Sequence, residues 1–294
     1  MGIGAATLDD LWVVTDFSDH ECVKQAHDHL FMGGGPVATA LCVLACLGHA
    51  VALVDVCGDD ATGDSIVADL EKHGVSTTMI RREAGARSAR AVVLVRSGDG
   101  ARQIVFQPSS AGEPVIDGAM KRKIRWARLL HLNGRHESTA REAVKVAQEA
   151  GVMISFDGGA GRYRDSIRDL VEASQVVIVS RDFAQQMTGK VEMKELMECL
   201  FQPPAQVVVI TDGMHGSHAM CADGRLHHQP AFEAIPLLDT TGCGDVYHGA
   251  FLHGWLSGWN LPECARFAAR LAAKNAEGFG GRYVCLSGGA SVAR

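Results

Sequence analysis

The run "DTTGCGDVYHGAFLHGW", residues 239–255, sets Gly242, Cys243, Gly244 and Asp245 directly ahead of a long apolar stretch. A helix that starts there presents backbone N–H groups without intrahelical partners and the positive end of its dipole, and glycines let an anion come close. Such a terminus suits charge developing on a phosphoryl group. Asp245 falls in the first turn, where a carboxylate is favoured and can take a proton from an attacking hydroxyl. On local physics alone the alternative stays open: Asp245 complements the dipole and the glycines serve packing.

Two other stretches could carry chemistry. In "MGGGPVATA" (32–40), Gly33, Gly35 and Ala38 satisfy the GxGxxA form of a dinucleotide fingerprint, with Asp55 placed 20 residues after Gly35 as a ribose-binding acid. That spacing predicts a nicotinamide-dependent oxidoreductase, although the preceding "QAHDHLF" is too polar for the buried strand the fingerprint needs. In "TDGMHGSHAM" (211–220), Thr211, Gly213 and Gly216 form a flat turn on which a base or ribose could lie, or an ordinary connection to a hairpin at "CADGRLHH". His215, His218, His227 and His228 could ligate a metal, but they lack a helical i, i+4 pair and a carboxylate partner. The chain has neither a GxxxxGKS/T loop nor a GxSxG elbow, so a phosphoryl-transfer enzyme here would rely on a helix terminus.

These residues need elements to position them. Short β-branched runs recur at "VALVDV" (51–56), "ARLLHL" (127–132), "GVMISFD" (151–157), "QVVIVS" (175–180) and "QVVVIT" (206–211). Between them lie segments of helical spacing, such as "GDSIVADLEKHG" and "STAREAVKVAQEAG", the latter with a glycine stop signal. Strands apolar on both faces, alternating with amphipathic helices, predict a doubly wound, mostly parallel α/β sheet. Two stretches break the rhythm, "LWVVTDFSDHECVKQAHDHLF" and "SARAVVLVRSGDGARQIVFQP", the second a hairpin turning at "SGDG". They predict a small extra sheet, from about residues 11–32 and 87–108, lying as a lid over the carboxyl ends of the main strands where α/β ligands bind. The whole chain, 1–294, reads as one such unit.

Composition narrows the partners. A formal net charge of −6 with mixed signs throughout offers no cationic face for nucleic acid and no polybasic tract for a membrane. The apolar region Val37 to Cys57 is divided by Gly48 and His49, which predicts a buried helix followed by a buried strand instead of a membrane span. Nine cysteines without CxxC spacing predict reduced thiols and a cytoplasmic location, and no secretory signal is recognisable at the start.

With these motifs in view, the chain resembles the ribokinase-like (PfkB) carbohydrate kinases over its length. "DTTGCGD" is similar to that family's C-terminal signature, "GIGAATLD" to its opening strand, "GGGPVATALCVLACLG" to its glycine pair and helix, and "GDDATGDSIVADLEKHGVST" to the segment that follows. The resemblance implies ATP-dependent phosphorylation of a sugar-like hydroxyl with Mg2+ on the phosphates, under a β-sheet lid that in many members also makes a homodimer. It implies Asp245 as general base and the N–H groups of Gly242, Cys243 and Gly244 as anion hole. Asp9, Gly33 and Gly34 would line the sugar pocket, Thr211, Gly213 and Gly216 the nucleotide turn, and Asn275 and Gly278 the adenine end. A sugar-sensing or scaffold protein that kept the fold and lost catalysis is the other class to weigh.

Within the family, "LLHLNGRHESTA" and "VVIVSRDFAQQMTG" are similar to ketohexokinases, including Arg102 on the second lid strand as a sugar contact. "GGGPVATA" and "QPAFEAIPLLDTTGCGDVYHGA" are similar instead to sulfofructose kinases. The acceptor is accordingly expected to be a ketose such as fructose or a sulfonated or otherwise acidic ketose. Arg135 could bind an acidic substituent through bidentate donors, or lie exposed at a helix start. Gly35 and Thr39 stand where ketohexokinases have asparagines, and the family's NxxE motif is replaced by Ser180, Arg181, Asp182 and Phe183, leaving Asp182 as the substitute toward Mg2+. Cys243 replaces the usual alanine, either as a small filler or as a thiol activated by the helix terminus.

Overall fold

A computed structural model describes residues 1–286; the last part of the predicted unit, 287–294, lies outside the described residues. Thirteen strands are described: β1 (Gly2–Ile3), β2 (Thr7–Val14), β3 (Asp28–Gly34), β4 (Val51–Gly58), β5 (Val75–Glu83), β6 (Arg90–Arg96), β7 (Arg102–Gln107), β8 (Leu129–Leu132), β9 (Met153–Gly158), β10 (Val176–Ser180), β11 (Val207–Thr211), β12 (Ser217–Cys221) and β13 (Leu226–Gln229). The α-helices among them are α1 (Pro36–Cys46), α2 (Ala61–Lys72), α3 (Gly118–Trp126), α4 (Glu137–Glu149), α5 (Arg168–Glu172), α6 (Arg181–Thr188), α7 (Met193–Leu200), α8 (Cys243–Leu256), α9 (Leu261–Asn275) and α10 (Tyr283–Leu286).

Nine strands form the main sheet in the order β13-β12-β11-β10-β9-β8-β1-β4-β5, parallel except for the edge pairings of β11 with β12 and β12 with β13. The expected doubly wound architecture is present, and its cause is visible residue by residue. Val176 and Ile178 of β10 and Val207 and Val209 of β11 pack into one core with α1, α8 and α9. Val177, Val179, Val208 and Ile210 pack into the other with α4, α6 and α7. A strand apolar on both faces requires helices on both. The region 37–57 divides as expected into α1 and β4, with Gly48 turning the chain at φ 89°. Among the described residues no helix is long and apolar enough to cross a membrane, and all nine cysteines are free.

The second sheet has the order β3-β2-β6-β7, antiparallel apart from the parallel pairing of β2 with β6. The "SGDG" hairpin is there, closed by Gly100 N–H donating to Arg96 O at 2.9 Å. The sheet also begins earlier than the sequence suggested: "GIGAATLD" is split between β1 in the main sheet and β2 in the small one, so Asp9 sits on a strand of the small sheet. Leu11, Val13, Met32, Ala91, Val93 and Val95 form its buried face, against which Phe279 packs.

This topology removes the dinucleotide reading. Gly33 and Gly34 end β3, a strand of the small sheet, instead of the buried parallel strand a fingerprint needs. Asp55 is buried, accepting from Ala6 N–H at 2.8 Å and lying 2.8 Å from His136 Nε2.

Candidate active site

α8 is apolar nearly all round, and nine of its residues from Val246 to Gly254 are buried. Such a helix belongs in the interior, and its N-terminus, with Gly242, Cys243 and Asp245 partly buried and Gly244 exposed, opens from it toward solvent. The turn that leads into it is held from two sides. The buried Asp239 carboxylate accepts Thr241 N–H at 2.8 Å and Gly280 N–H at 2.7 Å. The buried Asn275 donates to Thr241 O at 3.1 Å and Gly280 O at 3.2 Å, while its oxygen accepts Val284 N–H at 3.1 Å. Asn275 therefore spends its amide on the backbone of the turn, and the expected adenine contact is not open to this side chain.

Gly242 caps α8 in the left-handed region at φ 69°, and a Cβ there would stand 2.5 Å from Gly281 Cα. Gly244 is the opposite case: a Cβ would meet nothing within 4 Å, because the residue is exposed toward open space. The helix ladder begins with Val246 N–H on Gly242 O at 2.8 Å, and Cys243 N–H makes a long 3.4 Å bond to Thr240 O. The first-turn donors thus face the open side beside Gly244. Burial pushes the Cys243 thiol up to about 12, which favours the small filler over the activated thiol.

Asp245 lies in that first turn, partly buried, and burial pushes its pKa up to about 6, reinforced by the charge of Asp157 and opposed by Arg162, His248 and Arg102. Asp9 faces the same space from β2. Burial raises its pKa first, the Thr7 hydroxyl bond at 2.6 Å and Arg282 lower it, and Asp245 and Asp69 raise it further. The glycines of β3 make room for this: a Cβ on Gly34 would collide with the Asp9 carboxylate, and one on Gly33 with Asp69 and Arg282.

Arg102, on β7, donates to the Thr240 hydroxyl at 2.8 Å and so connects the small sheet to the turn before Gly242. Arg135 follows β8, its guanidinium 5.2 Å from the centre of the Phe106 ring on the small sheet. The residue is exposed, as the helix-start alternative expected; partial burial of its guanidinium lowers its pKa, and the charges of Arg164 and Arg162 lower it further. Arg164 is paired with Glu137 at 2.8 Å, whereas among the described residues neither Arg135 nor Arg162 is engaged in an ion pair.

The expected nucleotide turn lies at the carboxyl end of β11. Thr211 pairs with Ser217, Gly213 opens a short 3-10 turn at φ 55°, and Gly216 at φ 87° lets Gln229 and Ala231 pass against it. Gly278 is covered by the Tyr283 ring. Asp182, exposed in the first turn of α6, accepts Gly161 N–H at 2.7 Å and the Gln186 amide. The four histidines near this turn gather only in part: His218 stacks on His228 at 4.4 Å, and His228 Nε2 binds His215 O at 3.0 Å.

Two residues of the site escaped the sequence reading. Arg282 is fully buried, bridging Asp69 and donating to Gly34 O at 2.8 Å and Thr39 Oγ1 at 3.3 Å, so it fixes the glycine segment opposite Asp9. Arg162 hangs from the glycine-rich loop "DGGAGRYR" after β9; a glycine loop at the carboxyl end of a parallel strand was the available signal.

The site therefore gathers a carboxylate at a helix N-terminus, a second carboxylate facing it, and unpaired guanidiniums around them, along the carboxyl ends of a parallel sheet. Mouse ketohexokinase is 23% identical over 95% of this chain and 97% of its own. The ATP-dependent ribose-1-phosphate kinase of Halopiger xanaduensis is 29% identical over 85% of this chain and 82% of its own. Among solved structures, adenosine kinase from Sinorhizobium meliloti has a TM-score of 0.85 at 20% identity, covering 100% of this chain and 98% of its own. Arabidopsis thaliana ribokinase complexed with ribose and ATP has a TM-score of 0.79 at 21% identity over 98% and 97%. The description pfkB family carbohydrate kinase matches residues 2–287, and the chain belongs to that family of phosphotransferases.

Proposed function

We propose that this sugar kinase transfers the γ-phosphoryl group of ATP to a primary hydroxyl of a ketose that carries an anionic group. The observation that carries the anionic part is the pair Arg135 and Arg162: the charge of Arg162 adds to the burial that lowers the Arg135 pKa, and among the described residues neither guanidinium forms an ion pair. Unpaired cations beside the two carboxylates fit a substrate that brings the counter-charge, and a guanidinium matches a sulfonate or phosphate with two donors. The similarity to ketohexokinase and to a ribose-1-phosphate kinase supports both halves of this reading.

In the mechanism, Asp9 holds acceptor hydroxyls and Arg135, stacked on Phe106, takes the anionic substituent. Asp245 removes the proton from the attacking hydroxyl, its elevated pKa bringing it nearer to neutrality than an ordinary carboxylate. The first-turn N–H groups of α8 and Arg162 meet charge on the transferred group. The turn at Thr211, Gly213 and Gly216 receives the nucleoside. Asp182 offers exposed carboxylate oxygens of the kind Mg2+ takes and would hold that ion, which would neutralise phosphate charge when bound. The small sheet, attached through Arg102 to Thr240, keeps water out. Its outer face exposes Trp12, Phe31, Val92 and Val105, which supports pairing with a second copy, checked by light scattering on the eluting protein.

The test is an ADP-release assay over fructose, other neutral sugars and their sulfonated or phosphorylated ketose counterparts. The expected result is a kcat/KM for an anionic ketose about 100-fold above that of its neutral analogue, as two charge-assisted bonds allow. Arg135→Gln removes most of that preference by raising KM. Preference for the neutral sugar in the unmodified enzyme overturns the anionic assignment.

A further inference from the structure

Directly behind the catalytic turn lies a cluster that the kinase reaction does not use. His131 on β8, Asp157 on β9 and His248 on α8 are 1%, 2% and 3% exposed. Each has a buried polar atom without a hydrogen-bond partner: His131 Nε2, Asp157 Oδ2 and His248 Nδ1. These orphaned atoms converge. His248 Nδ1 is 3.6 Å from Asp157 Oδ2, and one ligand atom from each of the three residues lies within 4.8 Å of the others. A buried polar atom left unpaired costs on the order of 1–3 kcal/mol, so three facing one another form an arrangement that needs an occupant.

We propose that His131, Asp157 and His248 form a buried mononuclear site for a divalent transition metal of the zinc class. Two imidazole nitrogens and one carboxylate oxygen are a donor set that such ions take, with a position left for water. Ligand bonds of about 2.0–2.2 Å place ligand atoms roughly 3.3–3.6 Å apart in a tetrahedral site, which the closest pair already meets. The orientation is prepared from outside: His131 Nδ1 is held by the Ser155 hydroxyl at 2.8 Å, which turns Nε2 toward the centre. Burial lowers the pKa of both imidazoles, keeping them in the neutral form that binds metal.

The three donors come from two neighbouring strands and from α8, one turn beyond Asp245. A bound ion would pin the helix to the sheet immediately below the base, joining the 239–245 turn to the strands that carry the acceptor side.

The experiment uses the full chain freed of metal with a chelator and titrated with Co2+ alone, both as folded protein and during refolding, since the site is enclosed. The expected result is one equivalent per chain with the visible band of tetrahedral cobalt, lost in His131→Gln and in His248→Gln and retained in a His218→Gln/His228→Gln variant. Anomalous scattering from cobalt-loaded crystals of the unmodified protein gives a measurement independent of variant folding, and a peak between the three residues is expected. No bound equivalent under either loading, an equivalent that persists in a His131→Gln/His248→Gln variant, or a peak elsewhere overturns the proposal.

Discussion

Arg102 donates to the Thr240 hydroxyl at 2.8 Å, and that hydroxyl in turn donates to Gly100 O at 2.8 Å. One side chain and one carbonyl of the "SGDG" hairpin region thus hold the same threonine, two residues ahead of the cap of α8. Arg102→Ala removes one bond of that attachment and leaves the two that the Thr240 hydroxyl and N–H donate to Gly100 O. About 1 kcal/mol is at stake for an exposed charge-assisted bond, so kcat/KM is expected to fall about five-fold with an unchanged melting temperature. Steady-state kinetics beside thermal unfolding checks this, and unaltered kinetics would show the attachment to be dispensable.

The two glycines that flank Cys243 should respond differently. Gly242→Ala forces a Cβ into the left-handed region and against Gly281 Cα, and both the fold and turnover are expected to suffer, with a loss on the order of 1–3 kcal/mol in stability. Gly244→Ala places its methyl in open space, so stability should hold while the methyl crowds the phosphoryl group and lowers kcat. Denaturant unfolding and kinetics on both variants separate the two roles; equal melting temperatures would refute the distinction.

Asp245→Asn is expected to lower kcat by roughly 100-fold to 10,000-fold with nucleotide binding largely retained, the range for loss of a general base. In the unmodified enzyme the base must be ionised, so kcat/KM should climb with pH through about 6 and level off above it. Stability runs the other way. The folded pKa lies above the ordinary carboxylate value, so this group's contribution is full below about 4 and is lost as pH rises through about 6. Arg162→Gln removes a charge that lowers this pKa and should move the acid limb upward. A pH–rate profile flat from 5 to 8 in the unmodified enzyme would contradict the buried-base assignment.

Arg282→Met leaves Asp69 with only His73, at 3.5 Å, as a cationic partner, and Gly34 O and Thr39 Oγ1 without the Arg282 donor. Breaking a buried pair by removing one member costs about 3–5 kcal/mol. Urea unfolding should show a midpoint well below that of the unmodified chain, and a loss under 1 kcal/mol would mean the contact is incidental.

Much of this was legible in the chain before folding. The β-branched runs became β4, β8, β9, β10 and β11 because a strand buried on both faces has few other compositions, and the "SGDG" turn marked its hairpin. The polar "QAHDHLF" was unsuited to a buried parallel strand for a concrete reason: its first three residues precede β3, and of the four that open the strand Asp28, His29 and Phe31 are exposed on the small sheet. Arg282 was invisible because its partners Asp69 and Gly34 lie 213 and 248 residues away in sequence. His131 and His248 looked like ordinary members of apolar runs, since only the packing of α8 on β8 and β9 brings them together. The engagement of Asn275 with Thr241, Gly280 and Val284 was not legible, because nothing local shows whether an amide faces a ligand or its own backbone.

The junction between Gly100 and Thr240 also constrains the order of assembly. Residues 140 positions apart must meet before the turn at 239–245 has its outer support, and Asp239 needs Gly280 from still further along. Contacts this distant in sequence are slow to form. A chain emerging from synthesis can complete most of its parallel sheet while the turn proposed for phosphoryl transfer is still unbuilt, so on that proposal a product truncated before Gly280 keeps most of its architecture and lacks kinase activity.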